Sequence, residues 1–170
     1  MHIHKSVLIA FAGAVMISSI SAAQVRRAPA TQADTKVAVA IALRVDGQPY
    51  QFDGNASCQH APMASIYGVA AEMWIVQQSE GQRSIGLTMW RPNNAQGNWL
   101  SLGVSGGGKS HTVSTVTAPG ATVQGSGKVT LAPSGAGGTF TIEATAATGA
   151  AIAGTIKCSA FTPVIAEGGN

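Results

Sequence analysis

The chain has 170 residues, of which only 10% are charged, and ten Lys and Arg residues against seven Asp and Glu give a net charge of +3. Nucleic-acid interfaces usually carry clustered cations with interleaved aromatic residues. The cations here are scattered, so we expect no nucleic-acid partner. The low charge and the 21 glycines favour a strand-rich protein, because exposed helical faces usually carry many charged side chains.

Residues 1–23 have the three parts of an export signal. Basic residues precede the apolar run SVLIAFAGAVMISSI, and Ser21 and Ala23 supply the small residues of a cleavage site. The apolar run is too short for a comfortable membrane span, although an uncleaved N-terminal anchor is the alternative. We predict cleavage near Ala23, no integral membrane segment after processing, and a secreted or periplasmic protein.

The remaining chain is long enough for one domain. Residues 24–35 are small and polar and are predicted to form a flexible tail, residues 36–165 a single β-domain, and residues 166–170 a C-terminal tail. Cys58 and Cys158 are the only cysteines. In an exported protein such a pair predicts one disulfide, with two free buried thiols as the alternative.

Apolar residues alternate with a period of two from Lys36 onward, which predicts strands. Residues 36–45 form the first strand, and Asp46-Gly47 favours a tight hairpin. Residues 72–78 read as a buried strand that includes Trp74 in the core. Residues 61–71 are the one place where a short helical turn is expected.

Residues 84–90 and 98–104 pair best when Trp90 lies opposite Trp99. That register puts every aliphatic residue of both strands on one face, and a slip of one residue would break it. The tryptophans then lie on the other face beside small residues. They form either a platform for a ligand or a cross-strand pair that stabilises the sheet.

The last three strands are predicted as a meander over residues 127–132, 139–144 and 151–161. Here Leu131 is expected opposite Phe140 and Val129 opposite Ile142. On the following strand we expect Ile156 opposite Ile142 and Cys158 opposite Phe140.

These segments predict an all-β fold. We expect an antiparallel two-sheet β-sandwich, immunoglobulin-like or similar, with one disulfide. A partly open β-barrel is the alternative.

The stretch GVSGGGKS, residues 103–110, matches the phosphate-loop pattern G-x-x-x-x-G-K-[ST]. A working phosphate loop runs from a strand into a helix whose N-terminus faces the phosphates. The residues that follow are mostly β-branched and predict a strand. We therefore expect no nucleotide binding and little effect from replacing Lys109.

Side chains for catalysis or metal binding are scarce. His60 and His111 are the only histidines after the export signal. Cys58, His60 and Met63 suggest copper, but a disulfide would remove the thiolate ligand. The remaining catalytic alternative is a pair of carboxylates such as Glu72 and Glu143, as in glycosidases. These patterns predict no catalytic residues, no metal site and no cofactor.

The segment GSGKVTLAPSGAGGTFTIEATAATGAAIAGTIKCSAF resembles the closing half of small exported β-sandwich proteins of unknown function. It is similar to the mycobacterial lipoprotein-antigen family, in which an early cysteine pairs with one on the final strand. The shared positions are Cys58, Phe140, Ile142 and Cys158. They are structural, and the chain lacks that family's lipid-acceptor cysteine, so the resemblance implies the scaffold and assigns no functional residue.

The sequence thus predicts a non-catalytic exported β-sandwich that acts by binding or by association with the cell envelope. The first alternative is a carbohydrate- or small-ligand-binding module that uses Trp90 and Trp99. The second is a hydrolase. A glycan or an envelope protein is the kind of partner expected.

Overall fold

Alternating apolar side chains build the strands of the computed structural model, which describes residues 35–94 and 97–166. The strands are β1 (Lys36–Val45), β2 (Gln48–Ile66), β3 (Val69–Glu80), β4 (Arg83–Pro92), β5 (Trp99–Gly106), β6 (Lys109–Ser114), β7 (Ser126–Ser134), β8 (Gly137–Thr145), β9 (Ala151–Cys158) and β10 (Thr162–Pro163). The predicted signal peptide, nearly all of the N-terminal tail and residues 167–170 lie outside the described residues.

Tight turns connect the first strands. Asp46 and Gly47 both have positive φ, of 51° and 77°, and they join β1 to β2 as predicted. The expected helical turn at residues 61–71 is wrong. Strand β2 continues to Ile66, and Tyr67-Gly68 forms another turn with two positive φ angles that leads directly into β3. Such turns match the twist of the strands that they connect, and Gly adopts them without strain.

The register predicted for β4 and β5 is confirmed. Trp90 lies opposite Trp99 and Leu87 opposite Leu102, and the aliphatic face of the pair is buried. The predicted pairing of Leu131 with Phe140 on β7 and β8 is also confirmed. In each case a slip of one residue would move the apolar residues of one strand to the opposite face.

The register predicted for β8 and β9 is wrong by two residues. Phe140 pairs with Ile156 rather than with Cys158. A shift of two leaves every side chain on its original face, so the apolar pattern cannot distinguish the two registers. The structure places Gly154 of β9 opposite Leu43 of β1, and a Cβ at Gly154 would lie 2.1 Å from the carbonyl oxygen of Ala42.

All ten strands belong to one sheet, in the order β6-β5-β4-β3-β2-β1-β9-β8-β7, with β10 paired to β2. The all-β prediction is confirmed, but two packed sheets are not seen. The pairing of β1 with β9 joins the strands into a single sheet, and this sheet is nearly closed into a barrel because its β5–β6 side approaches β7. The alternative prediction of a partly open barrel therefore fits.

The barrel is held across its open seam by isolated contacts. An antiparallel bridge joins Ser114, at the end of β6, to Gln124, which precedes β7. The side-chain amide of Asn98 donates a hydrogen bond to the carbonyl oxygen of Val129, at 3.0 Å. Together these contacts connect the β5–β6 side of the seam to β7.

The predicted disulfide between Cys58 and Cys158 is confirmed, and it joins β2 to β9, the two strands that flank β1. Both cysteines are buried in the main core with inward-facing residues such as Leu87, Phe140 and Ile156. The disulfide indicates an oxidising compartment. Across the described ranges, no helix has the length and apolar character needed to cross a membrane.

Candidate functional site

A cavity of about 370 Å³ opens at the end of the barrel where the β1–β2 and β5–β6 turns lie. We call it the basic cleft and define it by six of the residues that line it. These are Asp46, Tyr50, Arg83, Val104, Lys109 and His111. They come from four separate parts of the sheet, so the cleft forms only when the barrel is assembled.

Strand alternation explains why polar side chains face this cavity. Within the barrel the inward positions are aliphatic, such as Ile85 on β4 and Val104 on β5. Arg83 lies two residues before Ile85, and His111 is paired with Val104, so both continue the inward-facing rows at the end of the barrel. At this end of the barrel the inward-facing positions therefore change from aliphatic to polar side chains.

Tyr50 forms the buried base of the basic cleft. Its hydroxyl donates a hydrogen bond of 2.7 Å to Oε1 of Gln78, which is also buried. The guanidinium carbon of Arg83 lies 4.4 Å from the centre of the Tyr50 ring. Burial raises the pKa of Tyr50, the nearby Arg83 charge partly offsets this rise, and Glu80 adds to it. The phenol is therefore a neutral hydrogen-bond donor at physiological pH.

Two cations in the basic cleft lack acidic partners. Neither Arg83 nor Lys109 forms an ion pair with any carboxylate of the described residues. Arg83 has one described hydrogen bond, a long contact of 3.5 Å from Nη2 to the carbonyl oxygen of Gln51. Asp46 is the one carboxylate among the described residues that line the cleft. The cleft therefore presents a net positive charge.

His111 lies at the edge of the basic cleft, where its Nδ1 shares a hydrogen bond of 2.9 Å with Oγ1 of Thr148. A nucleophilic triad would also need a carboxylate on the other ring nitrogen. No described carboxylate forms a hydrogen bond with His111. This arrangement fits the binding of a ligand better than the activation of Thr148 as a nucleophile.

The phosphate-loop match lies in the β5–β6 hairpin. Gly107 and Gly108 have φ angles of 59° and 74° and form its two-residue turn. Strand β6 follows, as predicted, rather than the helix that a phosphate loop requires. The turn nevertheless brings Lys109 to the basic cleft, a position that the sequence pattern did not indicate.

The Trp90/Trp99 pair lies on the outer face of β4 and β5. Trp99 is only 8% exposed because it packs in a small cluster with Val116 and Ala118. Trp90 is half-buried against the same cluster. The segment after β6 thus covers Trp99, while Trp90 stays partly exposed. A ligand platform at this pair remains a prediction.

His60, Glu72 and Arg91 form a polar network elsewhere on β2, β3 and β4. Glu72 accepts a hydrogen bond of 2.8 Å from Nε2 of His60 and another of 2.9 Å from Arg91. The His60 ring stacks on buried Trp74, with centroids 4.7 Å apart. These contacts join three neighbouring strands through groups that already satisfy one another.

The suggested glycosidase carboxylates are each engaged with a cation. Glu72 is paired with Arg91, and the exposed Glu143 is paired with Lys128 at 2.8 Å. The suggested copper site loses its thiolate because Cys58 is in the disulfide. Within the described part of the chain, no group of three or more His, Cys, Asp or Glu side chains could hold a metal ion.

Sequence reasoning missed Tyr50, Arg83 and Lys109 as site residues. One signal was available: Arg83 has the same strand parity as buried Ile85 and must therefore point inward at the strand end. The meeting of these three residues, which lie on β2, β4 and β6, depends on the curvature of the sheet, which the local pattern does not contain.

Comparisons of the chain with protein-family models, with curated proteins and with solved structures found no match. The function must therefore be argued from the geometry of the basic cleft.

Proposed function

We propose that this chain is an exported, non-catalytic binding protein that holds a small ligand in the basic cleft. One observation carries the proposal: a cavity of about 370 Å³ has Arg83 and Lys109 in its wall without acidic partners. Cations without partners at a concave site are available to a ligand, and they need not break an internal ion pair to bind it.

The form of the cavity supports this function. Small-molecule sites commonly occupy 300–1,000 Å³, occur at the mouths of β-barrels and combine apolar walls with a few polar groups. The basic cleft has all three features, since Val45 and Val104 line it beside the cations. Its size falls at the low end of that range, which favours a small ligand.

Export is proposed from two observations. Residues 1–23 have the pattern of a signal peptide. The disulfide between Cys58 and Cys158 requires an oxidising compartment for its formation, which agrees with export. Association with an envelope component would follow if the ligand belongs to that component.

The proposal can be tested by placing a bulky residue in the cleft. A Cβ at Gly106 would lie 3.5 Å from Cγ of Arg83, an ordinary contact, so Gly106→Phe would put a ring into the cavity. Gly103 lies on the same strand, and a Cβ there meets nothing within 4 Å. Gly103→Phe is therefore the matched control.

The measurement is NMR of the isotopically labelled protein against mixtures of sugars, amino acids, carboxylates and phosphates. We expect shift changes at the backbone amides of Asp46, Tyr50, Arg83 and Lys109. Gly106→Phe should abolish these changes and Gly103→Phe should retain them. Binding that maps to another surface, or the absence of binding across all the mixtures, would contradict the proposal.

A further inference from the structure

We infer that the basic cleft selects a small organic monoanion, a carboxylate attached to a short apolar group. This inference rests on the proposed binding function and gives the ligand a chemical class. The charges, the hydrogen-bond donors and the apolar wall of the cleft each support one part of it.

The charge of the cleft favours a single negative charge on the ligand. Among the residues that line the cleft, Arg83 and Lys109 supply two positive charges and Asp46 supplies one negative charge. Glu80, whose charge acts on Tyr50, is not part of this lining. A ligand with one negative charge neutralises the net positive charge of this lining. A dianion such as a phosphate monoester would bring a second charge into repulsion with Asp46.

The donors are suited to a carboxylate. Arginine carries five N–H donors in a planar fork that matches carboxylate geometry, and Arg83 has only one described hydrogen bond, to Gln51. The position of its guanidinium over the Tyr50 ring restricts its orientation. Lys109, from the neighbouring β5–β6 hairpin, adds a second cation to the cavity.

The apolar part of the wall accommodates the rest of the ligand. Val45, Val104 and the Tyr50 ring are buried or nearly buried and line the same cavity. A short alkyl or aryl group would cover this surface and exclude water from the ion pair, which strengthens the charge–charge attraction. A fully polar anion would leave the exposed parts of Val45, Val104 and the Tyr50 ring in contact with water.

Isothermal titration with hexanoate tests the inference, with hexanamide, hexylamine and hexyl phosphate as probes of the same chain length. We expect hexanoate to bind at least tenfold more tightly than hexanamide, since charge-assisted hydrogen bonds are lost with the neutral probe. Hexylamine should not bind. Hexyl phosphate should bind more weakly than hexanoate.

Substitutions identify the groups responsible. Arg83→Ala and Lys109→Ala should each weaken hexanoate binding about tenfold. For Lys109 this replaces the sequence-based expectation of little effect, because Lys109 lines the cleft. Arg44→Ala and Lys157→Ala remove the same charges from exposed strand positions outside the cleft and should leave the affinity unchanged.

The outcomes separate this inference from the proposed function. Hexanamide that binds in the cleft as tightly as hexanoate would overturn the choice of an anion and leave a binding cleft in place. Tighter binding of hexyl phosphate than of hexanoate would contradict the inference that the cleft selects a monoanion. Equal losses in the Arg44 and Arg83 variants would show a general charge effect and overturn the assignment of Arg83. If no compound of any class binds the cleft in the NMR experiment, both proposals fail.

Discussion

Tyr50 combines several effects in one side chain at the base of the basic cleft. Its hydroxyl satisfies Gln78, and its ring supports Arg83. The alternation of β2 predicts that Tyr50 faces inward. The sequence gives no sign of Gln78 as its partner, because the two residues are 28 positions apart and neither belongs to the residue pairs that join β2 to β3.

The raised pKa of Tyr50 predicts a loss of stability in alkali. In the unfolded chain its phenol ionises near the ordinary pKa of 10.0, while the folded protein holds the proton to higher pH. Above about pH 10 the unfolded state therefore binds fewer protons, and the free energy of unfolding falls as pH rises through the folded pKa. Below pH 10 this contribution is fully present.

Urea denaturation from pH 8 to pH 11 checks this prediction. Tyr50→Phe should be about 1–3 kcal/mol less stable at pH 8, because Gln78 loses its buried partner. Its stability should also fall less steeply above pH 10 than that of the unsubstituted protein. Tyr67→Phe is the control, since Tyr67 is 59% exposed. An alkaline slope unaltered by Tyr50→Phe would contradict the role given to Tyr50.

At the scale of elements, the hairpin of β4 and β5 is buried on both faces at the end next to its connecting loop. Aliphatic residues such as Met89 and Leu100 fill the barrel, while Trp99 on the outer face is covered by Val116 and Ala118. The apolar pattern predicted the first face and its register. It did not predict the cover. The β-branched run after residue 110 predicted a strand, but the observed β6 ends at Ser114, and the pattern gave no packing partner for the residues that follow.

Trp99→Ala should cost about 3–5 kcal/mol of folding stability, since it removes a buried indole and leaves a cavity under Val116 and Ala118. Trp90→Ala should cost less, because Trp90 is only half-buried. Chemical denaturation of the two variants under the same conditions measures the difference. Equal losses would show that the segment after β6 does not cover Trp99 selectively.

At the scale of the whole molecule, the sequence predicted strands and a disulfide but not the arrangement of the sheet. Alternation of side chains is the same in a sandwich and in a barrel. The difference lies in whether β1 uses its second edge to pair with β9, which local patterns do not show. The basic cleft depends on the curvature of the sheet that brings β2 and β6 to one cavity, and for that reason the site was less predictable than the strands.

The disulfide should contribute about 4–5 kcal/mol, because it closes a loop of about one hundred residues in the unfolded chain. A Cys58→Ala, Cys158→Ala double variant tests this contribution without burying new polar groups. Its midpoint of urea denaturation should fall while the strand signal in circular dichroism at neutral pH is retained. A loss below about 1 kcal/mol would contradict the chain-entropy account, and reduction of the unsubstituted protein provides an independent comparison.

Nine strands follow one another around the barrel, and an odd number cannot alternate in direction all the way round. Every paired neighbour among these nine is antiparallel. Because eight antiparallel pairs lie between β6 and β7 in this order, the two strands point in the same direction and cannot pair antiparallel with each other. The segment between β6 and β7 makes an additional reversal of direction. Its returning part contains Gln124 and ends at Gly125. A Cβ at Gly125 would lie 2.2 Å from the carbonyl oxygen of Thr145. The barrel is therefore open between β6 and β7, the two edge strands that run in the same direction and cannot complete the antiparallel pattern.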